Sequence, residues 1–122
     1  MKKTKMLKKN YEFRNALSKG KYYSGKNIEI FIKENDKKNF NFLGIAIGVK
    51  IAKAVKRNKI KRLIRENYRS IESNIKSGYT IVFLWKKKAD IENATYENIK
   101  NDMYKIFDKA DIFEEKIWKK YL

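Results

Sequence analysis

A chain of 122 residues with 43% apolar and 14% aromatic residues can bury one real core, so its 37% charged content does not make it a disordered chain. It has no cysteine and no histidine, which excludes a disulfide framework, thiolate metal sites and the commonest general base and transition-metal ligand. The formal net charge is +17, and +16 of it lies in residues 1–26 and 50–69, each carrying nine Lys/Arg against one acid; this is the footprint of a polyanion partner. A carboxylate site for magnesium stays open. The opening "MKKTKMLKKN" has no apolar stretch behind its basic flank, so it is not a secretory signal, and no run approaches bilayer-spanning length. The expectation is a cytoplasmic protein without a membrane partner. No proline, linker or repeat divides residues 1–122, which are read as a single polyanion-binding domain.

The first predicted element is a short helix in "LKKNYEFRNALSKG", with Asn10 as cap, Phe13, Ala16 and Leu17 on one face, and Gly20 as stop. Tyr22 and Tyr23 follow beside Lys21 as strand-edge residues. "KNIEIFIKE" alternates strictly, with Ile28, Ile30 and Ile32 opposite Glu29, Phe31 and Lys33, which is a half-buried strand. "FNFLGIAIGV" is a second strand with Leu43, Ile45, Ile47 and Val49 on the bulky face. Its Gly44, Ala46 and Gly48 leave the other face bare for a close neighbour. From about Val55 the period becomes helical, with Ile60, Leu63, Ile64, Asn67 and Ile71 inward and Gly78 closing the segment. "YTIVFLW" is a continuous apolar run, a strand covered on both faces. Thr95 then caps a helix with Ile99, Met103, Ile106, Phe107 and Ala110 inward. Asp111 and Glu114 have capping-box spacing for a last helix bearing Phe113, Ile117, Trp118 and Tyr121. The order is that of an α+β fold.

The helix from Val55 carries the sharpest signal. With Arg57 at 0°, Lys61, Arg65 and Arg69 fall at about 40°, 80° and 120°, with Asn58 near 100° and Arg62 near 140°. Five cations and one amide thus form a stripe about 18 Å long opposite the apolar face. Only Glu66 relieves the repulsion locally. Four of the cations are Arg, whose planar fork suits phosphate. Asn58 is either a contact to phosphate, 2′-OH or base edge, or a tolerated surface residue.

"AVKRNKIKRLIRE" resembles the signature of the bacterial ribonuclease P protein family. In that family Arg-Asn-Arg is followed one residue later by Lys-Arg, and then by another Arg on the same helix. Arg57, Asn58, Lys61, Arg62 and Arg65 match directly, and Lys59 stands where Arg is usual. "LKKNYEF" is similar to the family's opening helix and "GIAIGVKIAKAV" to the strand and turn before the signature. The resemblance implies a central four-stranded sheet with helices on one side, in the order α-β-β-β-α-β-α. It also implies a left-handed βαβ crossover, an exception to the usual hand. The short extra helix at the C-terminus lies beyond it. The implied function is the small subunit of a ribonucleoprotein whose RNA, with magnesium, removes the 5′ leader of precursor tRNA. The implied partners of this monomeric protein are ribonuclease P RNA and precursor tRNA, and neither a catalytic residue nor a metal ligand is assigned to the chain. Docking of the RNA subunit falls to Arg57, Asn58, Lys59, Lys61, Arg62, Arg65 and Arg69. A cleft for the single-stranded leader is assigned to Lys9, Asn10, Phe13, Leu17 and Phe31, with Leu17 standing where an aromatic is common.

Phe31 stands out without the family, as an aromatic on the polar face of its strand. Such a residue stacks a base, or it is covered by the first or last helix. Phe13 has the same two readings, and Tyr22 and Tyr23 could supplement the cleft. Two other functions compete: a basic ribosomal-type structural RNA-binding protein, and a membrane-surface protein. The latter would need exposed Trp, Phe or Leu beside its basic face, whereas this basic stripe backs onto core residues.

Overall fold

The computed structural model describes residues 3–37 and 39–114. In chain order these are β1 (Thr4–Met6), α1 (Asn10–Lys19), β2 (Lys21–Ser24), β3 (Ile28–Glu34), β4 (Asn41–Ala46), α2 (Ala54–Ile71), β5 (Tyr79–Trp85) and α3 (Tyr96–Lys109). Short 3₁₀ turns occupy Glu72–Asn74 and Ile91–Asn93. The strands form one open sheet in the order β1-β4-β5-β3-β2. β3 runs antiparallel to β2 and β5, while β4 is parallel to both β5 and β1.

Alternation sorts the strand residues onto two faces, and both are covered. On one face Ile28, Ile30, Ile32, Leu43, Ile81 and Phe83 pack with Ile60, Ile64 and Tyr68 of α2 and Ile99, Met103 and Phe107 of α3. On the other, Phe31, Phe42, Val82 and Leu84 pack with Leu7 and with Phe13, Ala16 and Leu17 of α1. Helices on one side only are therefore not what this chain adopts. β5 is apolar on both faces, so one helical layer would leave Val82 and Leu84 in water. Gly44 permits the approach of α1, because a Cβ there would stand 2.6 Å from Phe13 Cε1 and 2.9 Å from Leu7 Cδ1.

The four expected strands gain a fifth. Thr4–Met6 joins the sheet beside β4, with Leu7 N–H donating to Leu43 O at 2.8 Å and Thr4 Oγ1 2.8 Å from the Tyr68 hydroxyl. The hand of the β4-α2-β5 crossover follows from Leu43. Its side chain faces α2, and its carbonyl points to β1. For an L-residue seen from the side-chain side with the chain running upward, the carbonyl points right. β1 is then to the right of β4 and β5 to its left. A chain that rises in β4, passes in front through α2 and returns leftward makes a left-handed crossover.

Several local expectations shift. Lys9, with extended backbone, takes the cap position of α1 in place of Asn10, and its N–H donates to the Glu12 carboxylate at 3.2 Å. β4 ends at Ala46, so Val49 is exposed in the following turn instead of lying on the bulky face. Thr95 caps α3 as expected, accepting from Asn98 N–H at 3.2 Å. Asp111 does not cap a further helix. Its φ of 57° puts it in the left-handed region that closes α3, a conformation a short polar side chain tolerates. Phe113 is buried, bridges to Ile75 and packs edge-on against Tyr104 and Phe107. Ile117, Trp118 and Tyr121 lie outside the described residues.

Candidate RNA-binding surfaces

The first surface is the outer side of α2. Ile60, Leu63, Ile64, Asn67, Tyr68 and Ile71 are buried, and this fixes the opposite side in solvent. Asn58, Lys59, Arg62 and Arg69 are exposed, and Arg57, Lys61 and Arg65 are half-buried along their stems. Arg57 has a second role, since its Nη1 donates to Ala52 O at 2.6 Å and ties the helix start to the preceding turn. Arg62 Nε lies 3.7 Å from Glu66 Oε1, one turn on. That pair is exposed and worth only ~0.3–0.5 kcal/mol, so it competes weakly with a phosphate. Lys59 is about 60° round the helix from Arg62 and stands beside the stripe rather than in it. The first turn of α2 contains no acid and its Lys53 cap makes no side-chain bond. The positive end of the helix dipole thus adds to the stripe.

The second surface is where α1 crosses the sheet. Phe13, Leu17 and Phe31 come together here, all three half-buried. Phe13 is held against Gly44, so much of its ring serves packing. Phe31 stacks obliquely on Tyr22, with ring centroids 5.1 Å apart, and Tyr22 is 48% exposed. The Tyr22 hydroxyl donates to the Glu29 carboxylate, and this bond raises the Tyr22 pKa above the ordinary 10.0. Lys9 and Asn10 are exposed at the start of α1, about 12 Å along the helix from Leu17, and are not gathered with the aromatic group. Tyr11, 63% exposed with the Lys9 ammonium 5.7 Å from its ring centre, was not anticipated. Its signal in the sequence was an aromatic about 160° from Phe13 on a helical wheel. A separate open groove is lined by Glu29, Leu84 and Trp85 of the sheet and by Gly48, Val49 and Lys50 of the turn before α2.

The profile of the ribonuclease P family matches residues 1–111. The chain belongs to the ribonuclease P protein family. Among its relatives, the ribonuclease P protein component of Clostridium botulinum strain 657 is 36% identical over 112 residues, covering 91% of this chain and 98% of that one. The Clostridioides difficile component is 36% identical over 111 residues, covering 90% and 95%. The ribonuclease P protein of Staphylococcus aureus superposes with a TM-score of 0.78 at 30% identity, covering 88% of this chain and 96% of that one. The Thermotoga maritima protein shares the fold, with a TM-score of 0.75 at 24% identity over 86% and 96%. Membership of the ribonuclease P protein family makes the chain part of an endoribonuclease holoenzyme and a partner of ribonuclease P RNA. Among the described residues no group of three or more acids is placed to hold a metal ion together. No helix among the described residues is long and apolar enough to cross a membrane.

Proposed function

We propose that this chain acts as a monomeric, cytoplasmic RNA-binding subunit that promotes removal of the 5′ leader from precursor tRNA by a catalytic RNA. The stripe Arg57, Asn58, Lys61, Arg62, Arg65 and Arg69 docks the RNA subunit, with Lys59 at its margin. Phe31, Leu17 and Phe13 take the single-stranded leader, and Lys9 and Asn10 contribute charge and hydrogen bonding at the far end of α1. The observation that carries this reading is the stripe itself. It is a row of cations on one side of an 18-residue helix, with a single exposed ion pair among them, in a chain that matches the ribonuclease P family. A chain without histidine lacks the commonest proton-transfer residue of a protein nuclease. In this proposal the hydrolytic step and the magnesium belong to the RNA, and the protein supplies positioning and charge neutralisation.

The test is reconstitution. The protein alone leaves precursor tRNA intact. Added to a bacterial ribonuclease P RNA at magnesium concentrations where that RNA is nearly inactive, it restores cleavage. Efficient cleavage by the protein without RNA would sink the proposal.

A further inference from the structure

Two basic stretches dominate the sequence, and folding builds a third cationic surface by bringing Lys21 and Lys26 of the first stretch beside α3. α3 belongs to the charge-balanced C-terminal half, yet its Lys105 and Lys109 line a groove whose opposite wall is β2 and the turn after it, with Lys21 and Lys26. All four ammonium groups are exposed, and none forms an ion pair with a described residue. The groove is also rigidly built. Asp102, buried one turn before Lys105, accepts the backbone N–H groups of Lys26, Asn27 and Ile28 at 3.1, 2.8 and 3.2 Å. Its charge is directed onto backbone N–H groups rather than onto the lysines. Gly25 allows this closeness, because a Cβ there would lie 2.7 Å from Asp102 Cγ. The turn bearing Lys26 is therefore pinned to the helix bearing Lys105 and Lys109.

One residue joins this groove to the leader cleft. Tyr22 stacks on Phe31 on the α1 face of the sheet and also lines the lysine groove at the sheet's edge. β2 is an edge strand, so nothing of the sheet stands between the two. We infer that the distal part of a long single-stranded leader passes from Phe31 over Tyr22 and the β2 edge, and lies between β2 and α3 with its phosphates on Lys26, Lys105 and Lys109. A second copy of this chain is a poor occupant, because a +17 protein repels its own lysine groove. A flexible polyanion with bases to stack is a good one. This inference rests on the leader-cleft reading above and extends it.

The experiment measures binding of precursor tRNAs to the holoenzyme, with leaders of about five and about fifteen nucleotides, a span that brackets single-strand site sizes of ~4–16. Mature tRNA is the control. The charge reversal K105E/K109E alters one wall of the groove and K26E the other; all three positions are exposed, and thermal melting checks the fold. The expected result is that the affinity gained on lengthening the leader disappears in both variants. The log–log salt slope for the long-leader substrate falls by about 1.4 in K105E/K109E, at ~0.7 for each single-strand phosphate that is no longer neutralised. Short-leader and mature tRNA binding stay unchanged. An equal loss for every substrate, or no loss for any, overturns the inference. Phe31→Ala run in parallel reads the cleft separately. A short-leader penalty there, without a long-leader loss in the lysine variants, overturns the groove alone. Absence of leader dependence in every variant and in the unaltered protein overturns both.

Discussion

Tyr68 shows how one buried hydroxyl can hold an N-terminal strand and set the alkaline limit of the fold. It is fully buried on α2, and its hydroxyl lies 2.8 Å from Thr4 Oγ1 of β1 and 3.4 Å from Asn41 Nδ2 of β4. Burial pushes its pKa above the ordinary 10.0, the hydrogen bonds to Thr4 and Asn41 pull partly the other way, and the charge of Glu72 adds to the rise. The folded-state pKa therefore exceeds the unfolded one. The associated stability is fully present below about pH 10 and is lost as pH rises from there through the folded value. Tyr22 and Tyr79 are shifted in the same direction, so their loss overlaps with that of Tyr68. Tyr68→Phe should lower stability at neutral pH, because Thr4 and Asn41 lose a partner, yet flatten the decline above about pH 10. Urea midpoints measured from about pH 8 to 11 would decide this. An unchanged slope above pH 10 would mean that Tyr68 does not titrate in this way.

At the scale of the element, α2 is the best-specified part of the molecule, and its cations are not equivalent. Arg65 carries no ion pair or hydrogen bond to another described residue, whereas Arg62 has Glu66 and Arg57 holds Ala52 O. Arg65→Ala should therefore be the clean probe. The expected loss of RNA-subunit affinity is about 1.5–3 kcal/mol with unchanged folding, and the salt slope falls by ~0.7–0.9. Arg57→Ala should lower both affinity and thermal stability. Glu66→Ala should tighten RNA binding slightly by freeing Arg62 from a pair worth ~0.3–0.5 kcal/mol. Titrations at several salt concentrations separate these outcomes; equal effects on affinity and melting in all three would contradict the ranking. α2 was legible because its apolar residues keep one period over five turns, and β3 and β5 because alternation and a continuous apolar run are strong local signals. β1 was not legible, since three residues carry no period and its pairing with β4 depends on Asn41 and Tyr68 far away in sequence. The side on which α1 packs was hidden as well, because a strand apolar on both faces does not say which helix covers which. The lysine groove was invisible for a similar reason. Lys26 and Lys105 meet only through the bonds of Asp102 to a turn some 75 residues earlier.

For the whole molecule, the sheet acts as a partition. The stripe on α2 lies on one side, and Phe31, Leu17 and Phe13 lie with α1 on the other. The two proposed partners, RNA subunit and leader, then contact separate surfaces of a single rigid layer. Perturbations at sites that share no neighbours add to within ~0.3–0.5 kcal/mol, whereas sites coupled through one network deviate by more. The prediction concerns assembly of protein, RNA subunit and a substrate with a leader of several nucleotides. Arg65→Ala should weaken protein–RNA docking for any substrate. Phe31→Ala should leave docking alone and remove a stack worth ~1–3 kcal/mol, only when a leader is present. The double variant should show the sum. Phe31 is half-buried against Tyr22, so its truncation should also cost some folding stability, less than the ~3–5 kcal/mol of a fully buried Phe. A stability loss of that full size without a leader-length effect would assign Phe31 to packing alone. A double variant that departs from additivity by more than ~0.5 kcal/mol would show that the sheet transmits between the surfaces instead of separating them.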